Sequence, residues 1–297
     1  MPNSITLAKG FSTVLDEIYQ AESKTSVLSS DQGLARQGAN AKEIMVPKVS
    51  VDGLGDYGRN TGYTQGSVTF AWETKTFEYD RGTKILVDAM DVDETAGADA
   101  FVSACSELER TQVVPEGDAY TFAKICAKQG IGKVAAGVTY STAADVLDAI
   151  NDAMAAMDEA EVAAETRYLF ITPTLKRMID ACNEYQAAVS KDVLDSFAQV
   201  IEVPQARFYT AIDLKAGNAT DGFGYAKSTS QTAPGKDINF LIVEKSAVIK
   251  FDKHVNSRVF NPDELEDFDA YMMKYRKYGI VDVFDNKVAG IFLSHKA

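Results

Sequence analysis

The sequence predicts an α+β protein in which an extended, strand-rich arm runs into a long helix. Three patterns carry this. Residues 66–90 alternate apolar and polar side chains with period two, and residues 95–114 repeat apolar side chains at helical spacing. From Ile238 to Leu293 the chain is almost entirely strand-like, so its strands need a sheet partner earlier in the sequence. Nothing in the arm and helix has the look of an active site. Such a chain is organised for contact rather than turnover.

Composition bounds the possibilities. The chain has 297 residues, 46% hydrophobic and 25% charged, which is ordinary globular composition with core material for about two domains. No run of about 18 apolar residues occurs, so no membrane-spanning helix is expected. The start, MPNSITLAKG, lacks the basic flank and apolar run of a signal peptide. A net charge of −13 disfavours sequence-specific nucleic-acid binding, because an acidic chain gains nothing from counterion release. The same charge permits proximity to a polyanion without adhesion. Cys105, Cys126 and Cys182 are far apart and follow no disulfide or metal spacing, which fits a reducing cytoplasm.

Taken in order, residues 4–21 place Leu7, Phe11, Val14, Leu15 and Ile18 on one helical face. Residues 22–42 have no period and connect to an extended strand with Val49 and Val51, interrupted by Pro47. Asp52–Gly58 ends it. In the arm, Val68, Phe70 and Trp72 point one way and Phe77 and Tyr79 continue it. The tip falls either at Thr74-Lys75 or at Asp80-Arg81-Gly82, which carries turn residues, and Ile85, Val87 and Ala89 are expected to return as the second strand of a projecting hairpin. Asp88, Asp91, Asp93 and Glu94 do not match a calcium loop. They suit the start of the next helix, where negative charge stabilises free N–H groups. That helix, 95–114, is striped by Ala98, Phe101, Cys105 and Leu108; Pro115 is expected to kink or break it before 116–128 resumes.

Gly130, Gly132 and Gly137 mark a joint. Thr142 with Asp145 opens a helix to Met157, Tyr168–Ile171 is a buried strand, and Thr172-Pro173 begins another helix. A short helix at 193–197, strand pieces at 200–203 and 207–209, and an exposed loop at 215–236 follow. The remaining strands are expected at 238–243, 247–251, 254–260, 271–278, 280–284 and 288–293.

Catalytic signatures are missing. His254 and His295 have no ligand-spaced neighbours, and no phosphate loop, dinucleotide fingerprint or nucleophile elbow occurs. No catalytic, cofactor or metal site is expected. A Cys–His pair assembled only in space stays open as an enzymatic alternative, although all three cysteines lie on apolar helix faces.

Several stretches together resemble the major capsid proteins of tailed phages. They are Asp80-Arg81-Gly82, Val87-Asp88, Met90-Asp91-Val92-Asp93-Glu94-Thr95, Val113-Val114-Pro115-Glu116, Asp118-Ala119-Tyr120 and Phe122-Ala123-Lys124-Ile125. Pro47-Lys48 with Gly53-Leu54-Gly55-Asp56-Tyr57 adds to them. The resemblance runs through the whole chain in element order and is best in 44–126. It implies the Hong Kong ninety-seven type shell fold. In that fold 1–60 would be an N-terminal arm and 61–91 an extended loop. Residues 92–135 with 255–279 would be a peripheral domain with a spine helix, and 136–254 with 280–297 an axial domain.

The implied function is self-assembly, as hexamers and pentamers, into the icosahedral head of a double-stranded DNA phage. Its partners would be copies of itself, a portal protein, packaged DNA by non-specific proximity, and a separate scaffolding protein, since no long helical scaffolding segment precedes the arm here. It would reside in the virion, and in host cytoplasm during assembly. An encapsulin-like nanocompartment shell is the alternative within the same fold. Intersubunit contacts are expected from Phe11, Trp72, Lys75, Phe77, Tyr79, Arg81, Lys84 and Arg110, with Arg81 foremost as an intersubunit ion pair.

Overall fold

A computed structural model describes residues 23–30, 36–37, 43–60, 62–90, 105–134, 136–181, 192–218, 220–265 and 269–297. The strands are β1 (Arg36–Gln37), β2 (Glu43–Val51), β3 (Val68–Thr76), β4 (Tyr79–Asp88), β5 (Gly132–Lys133), β6 (Arg167–Ile171), β7 (Gln199–Glu202), β8 (Ile212–Leu214), β9 (Tyr225–Lys227), β10 (Ile238–Glu244), β11 (Val248–Phe260), β12 (Ala270–Val283) and β13 (Ile291–His295). The helices are α1 (Val114–Ala127), α2 (Ala143–Glu159) and α3 (Pro173–Asp180). The predicted helix at 4–21, residues 95–104 of the predicted spine, and Phe11, Asp91, Asp93, Glu94 and Cys182 lie outside the described residues.

β10 is the centre of a five-stranded mixed sheet of order β5-β13-β10-β6-β7. All seven of its residues are buried, and alternation divides them between two cores. Leu241 and Val243 meet Phe122 and Ile125 of α1; Phe240 and Ile242 meet Val146, Ile150 and Met157 of α2 and Leu175 and Ile179 of α3. Each fully buried side chain of this kind contributes roughly 2 kcal/mol. Local signals agree with the fold here. Thr142 caps α2 by accepting from the Asp145 N–H at 3.2 Å, and Pro173 stands in the first turn of α3.

A second sheet, of order β11-β12-β4, stands beside the first. β11 and β12 are longer than predicted. Gly279 pairs with Tyr79 inside β12 instead of ending it, so 271–278 and 280–284 form one strand. β4 is the partner that the C-terminal strands lacked.

Two expectations are corrected. Asp80-Arg81-Gly82 is no turn: it lies in the interior of β4, in register with Tyr278, Lys277 and Arg276. β3 and β4 therefore do not pair, and the projecting hairpin is β2 with β3, Val51 opposite Val68 and Glu43 opposite Thr76. The ladder partners of a long strand outweigh the turn preference of three residues. Pro115 does not break its helix either. Residues 105–127 are helical throughout, and the turn before Pro115 widens into a π segment, Glu109–Val113, where the Val114 N–H reaches the Glu109 carbonyl. That extra residue accommodates the ring and the missing donor of Pro115. Helical residues 89–90 follow Asp88, whose carboxylate accepts from the Met90 N–H at 2.9 Å, so helical backbone begins before the expected Thr95.

Residues 215–236 are less loop-like than predicted. β9 lies there and pairs back on β8, the two joined by a turn in which Asn218 Oδ1 accepts from the Thr220 and Asp221 N–H groups. The predicted strand at 207–209 is instead a 3-10 turn, Gln205–Arg207, followed by an isolated bridge at Tyr209.

Candidate functional site

The phase of the apolar pattern changes within β2. Ile44 and Val46 occupy one face and pack under Ile249, Phe251 and Ile280. From Pro47 onward the apolar residues are Pro47, Val49 and Val51, on the opposite face. Register places Trp72, Phe70 and Val68 directly across from them. The base of the hairpin is therefore anchored in the subunit's own core, with Val46 3% exposed. Its distal half presents an apolar stripe to the outside, with Phe70 57% and Val51 64% exposed. Phe70 and Trp72 meet edge to face, centroids 5.5 Å apart.

Beyond the stripe the tip, 52–67, is held by short contacts. The Ser67 N–H donates to Asp52 at 2.9 Å, Gly58 bridges Gly62, and Tyr57 packs on Tyr63 at 4.8 Å. An exposed contiguous apolar face on a paired, projecting element marks an interaction surface.

Ion pairs fix the hairpin's root. Lys75 of β3 lies 2.8 Å from both Glu73 and Asp282 of β12. Burial alone would lower its ammonium, yet the hydrogen bonds to Asp282 and Glu73 hold it above the usual lysine value. Lys128 reaches Asp285 at 2.7 Å and Asp282 at 3.4 Å, and Lys124 pairs with Glu78.

Two further clusters position the arm. Arg81 Nε lies 2.8 Å from Glu116 Oε1, and its Nη1 and Nη2 donate to the carbonyls of Lys215 and Gly224 at 2.7 and 3.3 Å. The Tyr79 hydroxyl donates to the same carboxylate at 3.1 Å. Asp118 of α1 is fully buried and accepts from the Ser23 hydroxyl, the Lys24 and Thr25 N–H groups, the Thr25 hydroxyl and Arg207. Lys250 Nζ donates to the Thr25 carbonyl and hydroxyl at 2.9 and 2.7 Å. Burial, with the nearby Lys277 ammonium, lowers Lys250 to about 8. Segment 23–30 is thus clamped between α1 and β11.

The structure sorts the expected contact residues. Trp72 belongs to the exposed stripe, Lys84 is exposed on β4, and Arg110 is exposed and paired with Glu107 one turn back at 2.8 Å. Phe77, Tyr79 and Arg81 are used inside the subunit. Phe77 stacks on Tyr278, Tyr79 packs on Tyr120, and the three guanidinium nitrogens of Arg81 are bonded within the chain. Lys75 serves the hairpin's root. Val49, Val51, Asp118 and Lys250 are functional candidates that the structure brings out. The phase change at Pro47 signals the first two, and a charge between Ile249 and Phe251 signals Lys250; Asp118, two residues after Glu116, has no local signal.

Burial raises the Cys105 thiol to about 11, and it raises Cys126 as well, the reverse of thiolate activation. His295 Nδ1 lies 2.8 Å from the Lys296 carbonyl. Among the described residues no three His, Cys, Asp or Glu side chains converge as metal ligands would.

No protein-family model matches the chain, and no curated protein matches it in sequence. Solved structures do match. The capsid of cyanophage P-SCSP1u is similar over 88% of this chain and 85% of its own, at 14% identity and a TM-score of 0.59. The mature capsid of bacteriophage PhiM1 is similar over 86% and 82%, at 11% identity and 0.57. A virus-like particle from Pyrococcus furiosus is similar over 97% and 99%, at 11% identity and 0.55. The chain has the phage capsid shell fold that its sequence resemblance implied.

Proposed function

We propose that this protein is a structural shell subunit, the major capsid protein of a tailed double-stranded DNA phage, and not an enzyme. One observation carries the reading furthest. The β2–β3 hairpin holds its base in the subunit and turns an apolar stripe of Pro47, Val49, Val51, Val68, Phe70 and Trp72 outward. A stable monomer gains nothing from such a face, whereas a neighbouring copy that covers it completes a core. Hairpin, spine helix with β4-β11-β12, and five-stranded α/β unit then correspond to extended loop, peripheral domain and axial domain. Residues 43–76, rather than 61–91, form the loop in this assignment.

The reading places the protein in the virion, with copies of itself, a portal protein and packaged DNA as neighbours. The acidic surface lets DNA lie close without adhering. Purified protein examined by sedimentation and electron microscopy tests this. Closed shells or capsomer rings are the expected result, and only small discrete species under every assembly condition would sink it. An encapsulin-like compartment shares the fold, and particle contents separate the two: nucleic acid for the phage head, a protein cargo for the compartment.

A further inference from the structure

The outer face of the second sheet carries an arrangement that is unfavourable in the isolated subunit. Arg258, Lys274 and Lys84 are in direct cross-strand register on β11, β12 and β4, and all three are exposed. Like charges directly opposite repel at strand spacings of about 4.8 Å. Among the described residues no carboxylate pairs with any of the three, although the chain carries a net charge of −13. The next row toward the tip of the sheet is apolar, Phe260, Met272 and Leu86. The Phe260 ring lies 4.5 Å from the Arg258 guanidinium carbon and 4.9 Å from Lys274 Nζ.

The opposite arrangement occurs on α2. Between Ala143 and Thr166 the chain has acids and no Lys, Arg or His. Asp145, Asp148, Asp152 and Glu159 are all exposed and recur at helical spacing, forming one stripe beside the small residues Ala155 and Ala156. Like charges three and four apart on a helix repel. Asp158, by contrast, is occupied by Arg167 at 2.7 Å.

We propose that the basic row Arg258–Lys274–Lys84 docks the acidic stripe of α2 from a second copy of this chain. Spacing fits: the stripe's neighbours stand about 5–6 Å apart, close to the strand spacing of the row. Small side chains on α2 permit close approach, and the Phe260–Met272–Leu86 row supplies a dry margin. A nucleic acid is the weaker occupant, because three cations on a strongly acidic chain offer few phosphate contacts. Joining unlike faces of identical chains gives a heterologous contact, the kind that closes rings. This rests on the shell reading above and adds which faces meet.

Lys274→Glu is the test, with Asp148→Lys/Asp152→Lys as its complement. In dissociated subunits Lys274→Glu relieves the repulsion, so thermal unfolding rises by about 2 °C. In the assembly assay at low salt the same variant loses assembled particles on the order of tenfold, and combining it with the complement restores them. Wild-type assembly by Lys274→Glu, or failure of the combination to rescue, overturns the proposal while leaving the shell reading intact. Normal particles that no longer retain DNA would assign the row to nucleic acid instead. A wild-type chain that never assembles would remove the shell reading and this contact with it.

Discussion

Arg81 and Glu116 form a two-point clamp, Nε to Oε1 at 2.8 Å and Nη2 to Oε2 at 3.2 Å, that joins strand β4 to helix α1. The same guanidinium holds the carbonyls of Lys215 and Gly224, so one side chain ties three elements. Arg81→Ala leaves the Glu116 carboxylate buried without its cation. It is expected to destabilise the subunit by about 2–3 kcal/mol. Denaturant midpoints of dissociated subunits check this. An unchanged midpoint together with lost assembly would return Arg81 to an intersubunit role.

The hairpin stripe predicts the reverse pattern. Phe70→Ser and Val49→Ser change exposed residues and should shift subunit stability by under about 0.5 kcal/mol. Both should nevertheless abolish or strongly reduce particle formation. Circular dichroism melts alongside sedimentation velocity separate the two effects, and normal particle yield from both variants would contradict the assignment of the stripe.

Asp118→Asn tests the clamp on segment 23–30. Removing the carboxylate charge leaves Arg207 and Lys250 with an uncompensated environment, at a cost of about 3 kcal/mol. Amide hydrogen exchange of Lys24 and Thr25, both donors to Asp118, should accelerate well before the α2 core does. Unchanged protection of these amides would show that Leu28 packing and the Lys250 bonds to Thr25 hold the segment without the Asp118 charge.

Lys250 gives the subunit a pH signature. Its folded value is lowered to about 8, below the ordinary 10.5, so between those limits the unfolded chain binds the extra proton. Stability due to this group therefore rises with pH across that window, on the order of 1 kcal/mol per unit, and its full penalty is present below about 8. Lys250→Met should flatten the rise. Equal slopes for wild type and variant between pH 8 and 10 would remove Lys250 as the source.

Much of the α/β unit is legible from local signals, because Thr142, Pro173 and the alternation of Phe240–Val243 act where they stand. Asp118-Ala119-Tyr120 and Phe122-Ala123-Lys124-Ile125 of the capsid-like segments are legible for the same reason: both lie within α1. Strand pairing is different. Asp80-Arg81-Gly82 has turn chemistry, but its fate is decided by β12, nearly two hundred residues later, which offers a ladder from Gly279 to Ala270. The contact residues suffered accordingly. Alternation alone cannot say which face a neighbour covers, so it groups Phe77 and Tyr79 with Trp72, although they pack inward on Tyr278 and Tyr120. Asp118 and Lys250 depend on a clamp between segments far apart in sequence, 93 residues from Thr25 to Asp118 and 225 from Thr25 to Lys250.

A cryo-electron-microscopy reconstruction of the assembled wild-type protein tests the central claim most directly. The account predicts closed shells in which the face bearing Val49, Val51, Val68, Phe70 and Trp72 is buried against a neighbouring subunit. Shells that leave this face in solvent, or an absence of shells, would contradict it.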